Sequence, residues 1–146
     1  MLTALVPSRS WCDANGRRYR PTTAWARALL LRLYRWFPDR LLVAVMDGEF
    51  AALELLDALS PYVIAVTRLR LDARLFDPPS ERPGSLRTLL TGARQPTLRA
   101  RFTDRATVWR RAVLSNRTRW RSGRGIEYVS GTAVWYHPGT PVVPIR

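Results

Sequence analysis

The thirty residues from Leu41 to Arg70, LLVAVMDGEFAALELLDALSPYVIAVTRLR, constrain this chain more than any other stretch. Leu41-Leu42-Val43-Ala44-Val45-Met46 is a continuous apolar run, too short for a buried helix and closed by the Asp47-Gly48 turn signal. Such a run predicts a strand covered on both faces, as in parallel sheets. Apolar residues at 50, 52, 53, 55, 56 and 59 then recur at helical spacing, with Glu54 and Asp57 outward, which predicts a helix over 50–59. Ser60-Pro61 stops it, and YVIAVT (62–67) is the second expected buried strand. Strand, helix and strand over this length predict a right-handed βαβ unit. Asp47 then falls just beyond the carboxyl end of a strand, where α/β proteins place catalytic and binding groups.

The flanking sequence extends this plan. Residues 1–21 show no periodicity, and RSWCDANGRRYRP with its Asn-Gly turn signal reads as a loop or incomplete element. From Thr22 a helix is expected, with Thr23 as N-cap and Trp25, Ala28, Leu29, Leu31, Leu33 and Trp36 along its apolar side. Pro38 ends it near Trp36 and Phe37. Residues 22–76 thus form the α/β part, and residues 77–85 a Pro-rich connector. Over 86–146 the short alternating segments ATVWRRAVLS, TRWRS, IEYVSGTAVWYH and PVVPIR predict antiparallel strands.

Charge narrows the partners. Twenty-four basic residues against eleven acidic ones leave a net charge of +13, which favours nucleic acid first and an anionic membrane second. Every basic residue is Arg and none is Lys, a pattern of genomic compositional bias rather than of selection for phosphate contacts. Cys12 is the only cysteine and His137 the only histidine, which excludes an intrachain disulfide, a Cys-based metal site and a His–His zinc motif. No apolar run reaches the length of a signal peptide or membrane span, so a cytoplasmic protein without a membrane partner is expected.

Asp47 is the leading candidate for chemistry. A carboxylate beyond a strand suits Mg²⁺, a hard cation held by one or two carboxylates together with substrate phosphates. Phosphodiester cleavage by two metals needs several converging carboxylates, and one Asp is insufficient. Glu49 serves the helix dipole, while Asp72 and Asp77 read as solvated loop acids. Arg68 and Arg70 leave the second strand and lie near Asp47 if the two strands are neighbours. Residues 99–124 hold nine Arg against the single acid Asp104. Within them Arg110, Arg111, Arg117, Arg119 and Arg121, with Trp120, are candidates for phosphate contact and base stacking. On a strand Arg117, Arg119 and Arg121 share a face and Trp120 lies opposite. No Gly-rich phosphate loop is present.

The segment RLLVAVMDGEFAALELLDAL, with YVIAVTRLRLDARLFDPP after it, resembles the DDE transposases of bacterial insertion sequences, in particular the DDE superfamily endonucleases. RRYRPTTAWARALLLRLYRWFPDR resembles the helix before their second catalytic strand, and SGTAVWYHPGTPVVPIR a strand pair of their β-rich insertion. The resemblance implies a partial RNase H-like core followed by a β insertion. It further implies a site of two Asp and one Glu holding two Mg²⁺ for DNA cleavage and strand transfer. Asp47 matches the second Asp; Asp13, in a loop, and Glu127, in the β region, do not match the other two acids. The expectation is therefore a truncated, inactive transposase. The alternative is a non-catalytic DNA-binding or interaction module working through the Arg/Trp region. Missing neighbouring strands would leave a sheet edge open to self-association.

Overall fold

The protein is described by a computed structural model covering residues 3–79, 91–113 and 125–145. Those residues make a mixed α/β structure that divides into two compact units, Met1–Arg70 with Tyr136–Val143, and Leu71–Trp135 with Pro144–Arg146.

The first unit is built on the βαβ element. Strands β1 (Val43–Met46) and β2 (Ile64–Thr67) pair in parallel, Val43 opposite Ile64 and Met46 opposite Thr67. Before β1 come helices α1 (Arg9–Ala14) and α2 (Thr22–Trp36), and α3 (Leu53–Leu59) makes the crossover. Leu55, Leu59 and Val63 are the centre of the core, packed against Leu30 and Leu31 of α2 and Ala44 and Met46 of β1. The chain enters β2 tightly: Val63 N–H donates to the Leu59 carbonyl and Ile64 N–H to the Leu42 carbonyl, each at 2.9 Å.

The strands are not covered on both faces, contrary to the sequence expectation. Exposure alternates along each, and Leu41 (78 %), Val45 (82 %) and Ile64 (49 %) stand open. Helices cover one side only, so Ala44 and Met46 are packed while Val43, Val45, Ile64 and Val66 form an apolar outer face. A run such as LLVAVM is apolar on both faces whether or not a second layer exists, so its pattern reports compatibility with cover rather than cover itself. An outer face of this kind promotes association. Val45→Lys, which removes an apolar side chain without touching the core, is expected to raise several-fold the concentration at which the protein self-associates. Light scattering across a dilution series checks this, and unchanged association would exclude the face as its cause.

Helix boundaries differ in small ways that have local causes. α2 is capped by Pro21 rather than Thr23, the Pro21 carbonyl accepting from Ala24 N–H at 3.0 Å, and Thr22 and Thr23 lie inside the first turn. Its C-terminus falls at Trp36, with Phe37 in a non-helical conformation before Pro38, as the pre-proline restriction requires. The expected helix over 50–59 is split: Gly48–Phe50 form a 3₁₀ turn, Ala52 is extended, and α3 starts only at Leu53. The first twenty residues contain α1, six residues long, capped by Ser8 and ended by Asn15 and by Gly16 at φ +59°. A single turn and a half is too short to show a stripe, but its end signals were both in the sequence.

The second unit is mainly β among its described residues. Its three-stranded sheet runs in the order β3 (Leu75–Phe76), β6 (Ala133–Trp135), β7 (Val143–Ile145), with β3 antiparallel to β6. A separate antiparallel pair joins β4 (Arg110–Val113) to β5 (Gly125–Tyr128). Helix α4 (Leu98–Thr103) lies between β3 and β4 in the chain, its N-cap Thr97 hydroxyl accepting from Ala100 N–H at 3.1 Å. Asp77 is exposed, as expected of a solvated loop acid, and its carboxylate also accepts from the Gln95 side-chain amide at 2.7 Å while its backbone exchanges bonds with Gly92 and Ala93. Any Cβ at Gly92 would sit 2.8 Å from the Pro78 carbonyl, so that approach requires glycine. The connector residues 80–85 and the segment TRWRS lie outside the described residues.

Candidate functional site

The parallel register decides what surrounds Asp47. Because Met46 stands opposite Thr67, the residue after β1 faces the residue after β2. Asp47 leaves the strand extended (φ −70°, ψ 164°) and caps the 3₁₀ turn, its Oδ1 accepting from Gly48 N–H. The same oxygen accepts from Arg68 Nη2 at 3.0 Å. The Thr67 hydroxyl donates to the Asp47 main-chain carbonyl at 2.8 Å, tying the end of β2 to the turn. Gly48 completes the junction, since a Cβ there would lie 3.3 Å from the Arg68 carbonyl oxygen.

The Gly48 N–H first, and then Arg68 by its hydrogen bond and charge, hold the Asp47 carboxyl below its ordinary range. The group is therefore ionised at neutral pH. Its stabilising contacts are present above the ordinary carboxylate range and are lost as pH falls through the lowered value. Both side chains are well exposed, Asp47 at 66 % and Arg68 at 85 %, so solvent screens the pair and its share of stability is small. The value of the pair lies in position: a fixed carboxylate beside a solvent-facing guanidinium.

This geometry bears directly on metal binding. Among the described residues no three His, Cys, Asp or Glu side chains converge to hold a metal ion. Asp47 brings one carboxylate, and its Oδ1 is already engaged by Gly48 and Arg68. That donor set does not fit a two-Mg²⁺ centre, which needs several carboxylates bridging both metals.

The structure brings together Asp47 and Arg68, as adjacency of the two strands implies, and adds Thr67 and Gly48, which sequence reasoning missed. Their roles depend on Met46 standing opposite Thr67, and a Thr at a strand end or a Gly after an Asp carries no such signal by itself. Arg70 is exposed and has interactions of its own. In the second unit Arg110 and Arg111 are both exposed on β4, but as adjacent strand residues they point to opposite faces. Arg111 stands directly across from Glu127, and Arg110 from Tyr128. Trp109 meets Phe102 edge-on, ring centres 6.0 Å apart, and the two share a small cleft with Glu127. An acid in that cleft disfavours a phosphate there. Arg117, Arg119, Trp120 and Arg121 lie outside the described residues.

No protein-family model, no curated protein and no solved structure matches this chain. Among the described residues no helix is long and apolar enough to cross a membrane.

Proposed function

We propose that this protein is a transposase-derived, DNA-binding chain that does not cut DNA by itself. The observation that carries the reading is the Asp47–Arg68 pair, fixed at the carboxyl end of a parallel βαβ unit in a chain of net charge +13. An RNase H-like core of the DDE superfamily endonucleases would present its second Asp at this position, and Asp47 is read as that residue. Mg²⁺-dependent strand transfer belongs to the complete three-acid site. With one carboxylate at the strand end, the arginines are left with the task of holding the phosphate backbone. The alternative is a non-catalytic DNA-binding or interaction module working through the Arg/Trp region, of which the described residues include Arg110 and Arg111, on opposite faces of β4 with Glu127 across from Arg111.

Incubation with supercoiled plasmid in Mg²⁺ tests the proposal. The plasmid is expected to be retarded on a gel and to remain supercoiled, with Asp47→Ala behaving alike. Nicking by the wild-type chain that Asp47→Ala abolishes would overturn it.

A further inference from the structure

The N-terminal segment builds a second site that the Asp47 reading leaves unused. Between the chain before α1 and the start of α2 lies an open cleft of about 600 Å³. Trp11 and Trp25 line it together with Arg17, Arg18 and Arg20, and no acidic side chain does so among the described residues. Its size is that of a small-molecule site, whose ordinary make-up is an apolar lining with a few placed polar groups. The Trp25 indole Nε1 is itself buried and has no hydrogen-bond partner among the described residues, so Trp25 offers the cleft ring surface rather than its donor. Trp11 is 48 % exposed, with the Arg17 guanidinium 5.9 Å from its ring centre. The lining thus combines aromatic rings, one with a guanidinium near its face, and further arginines.

We propose that this cleft binds one nucleotide unit, its base lying against the indoles and its phosphate on Arg18 and Arg20. Aromatic stacking accepts any base, and arginine binds phosphate through two parallel N–H donors. The unit is either a free mononucleotide or a residue within a single strand, which share base and phosphate. A duplex keeps its bases paired and stacked and offers the cleft only phosphate. The inference rests on the DNA-binding reading for its biological setting, but the cleft and its chemistry stand independently of Asp47.

The test is fluorescence anisotropy of a labelled ten-residue oligo(dT) at fixed ionic strength, with dTMP, inorganic phosphate and a hairpin duplex as competitors. Trp11→Ala is expected to weaken oligo(dT) about tenfold and to leave duplex affinity unchanged. Trp11→Phe should restore most of that loss, which separates stacking from a fold defect. Competition by dTMP but not by phosphate supports the site. A dTMP affinity close to that of the oligonucleotide per site assigns it to free nucleotide, and a much weaker one to a strand. Oligo(dT) affinity unaltered in Trp11→Ala, or phosphate competing as well as dTMP, would overturn the cleft while duplex binding still stood. Absence of duplex binding in every variant would instead sink the DNA reading.

Discussion

Leu59→Ala is expected to destabilise the first unit by about 3 kcal/mol, within the range of Leu-to-Ala changes at fully packed sites. Leu59 has no exposed surface and sits in the core that α2, β1 and the entry to β2 share. Its backbone carbonyl also receives Tyr62 and Val63 N–H, so the residue sets both the core and the turn into β2. Domains of this size have about 5 kcal/mol or a little more in hand. The variant should therefore show a denaturation midpoint lowered by roughly half and an unfolded population raised to about a few per cent. Val66→Ala removes an apolar side chain of the same sheet from its open face and is expected to cost about 1 kcal/mol or less. Urea unfolding followed by circular dichroism compares the two. Equal losses would mean that the outer face of the sheet is packed and that the one-sided layer is wrong.

That contrast also marks where the sequence was legible. The period of α2, the stop at Pro38 and the two apolar runs around a short helix all specify local structure, and each element is found. Periodicity could not say what covers Val43, Val45, Ile64 and Val66, because cover depends on elements elsewhere in the chain or on other chains. It also could not place the break at Ala51 and Ala52, where alanine permits either a continued helix or the extended geometry observed. In the candidate site the acid was legible from its place after a strand. Its partner Arg68 followed from assuming adjacent parallel strands, but Thr67 and Gly48 required the register itself. The N-terminal cleft was invisible because its residues come from an aperiodic segment, where Trp and Arg have no spacing to read. In the β region the sequence pointed to an arginine-rich surface, yet strand alternation sends Arg110 and Arg111 apart and sets Glu127 against one of them.

If this chain holds DNA as proposed, its arginines neutralise the phosphate backbone. Every phosphate neutralised releases condensed counterions, so the logarithm of the association constant should fall linearly with the logarithm of salt, by about 0.9 per phosphate. A footprint of about six phosphates implies a loss of about 10³ in affinity between 50 and 200 mM salt. Arg68, solvent-facing at the strand exit, is one expected contributor, and Arg68→Ala should reduce the slope by about one. Asp47→Ala frees the same guanidinium from its carboxylate and should leave the slope equal or steeper. The direct measurement is a duplex-DNA binding titration of the intact chain across that salt range. The expected result is a steep linear decline without Mg²⁺ and a weaker, shallower one with Mg²⁺, which competes for the same phosphates; an affinity indifferent to salt, or binding that appears only when Mg²⁺ is added, would contradict it.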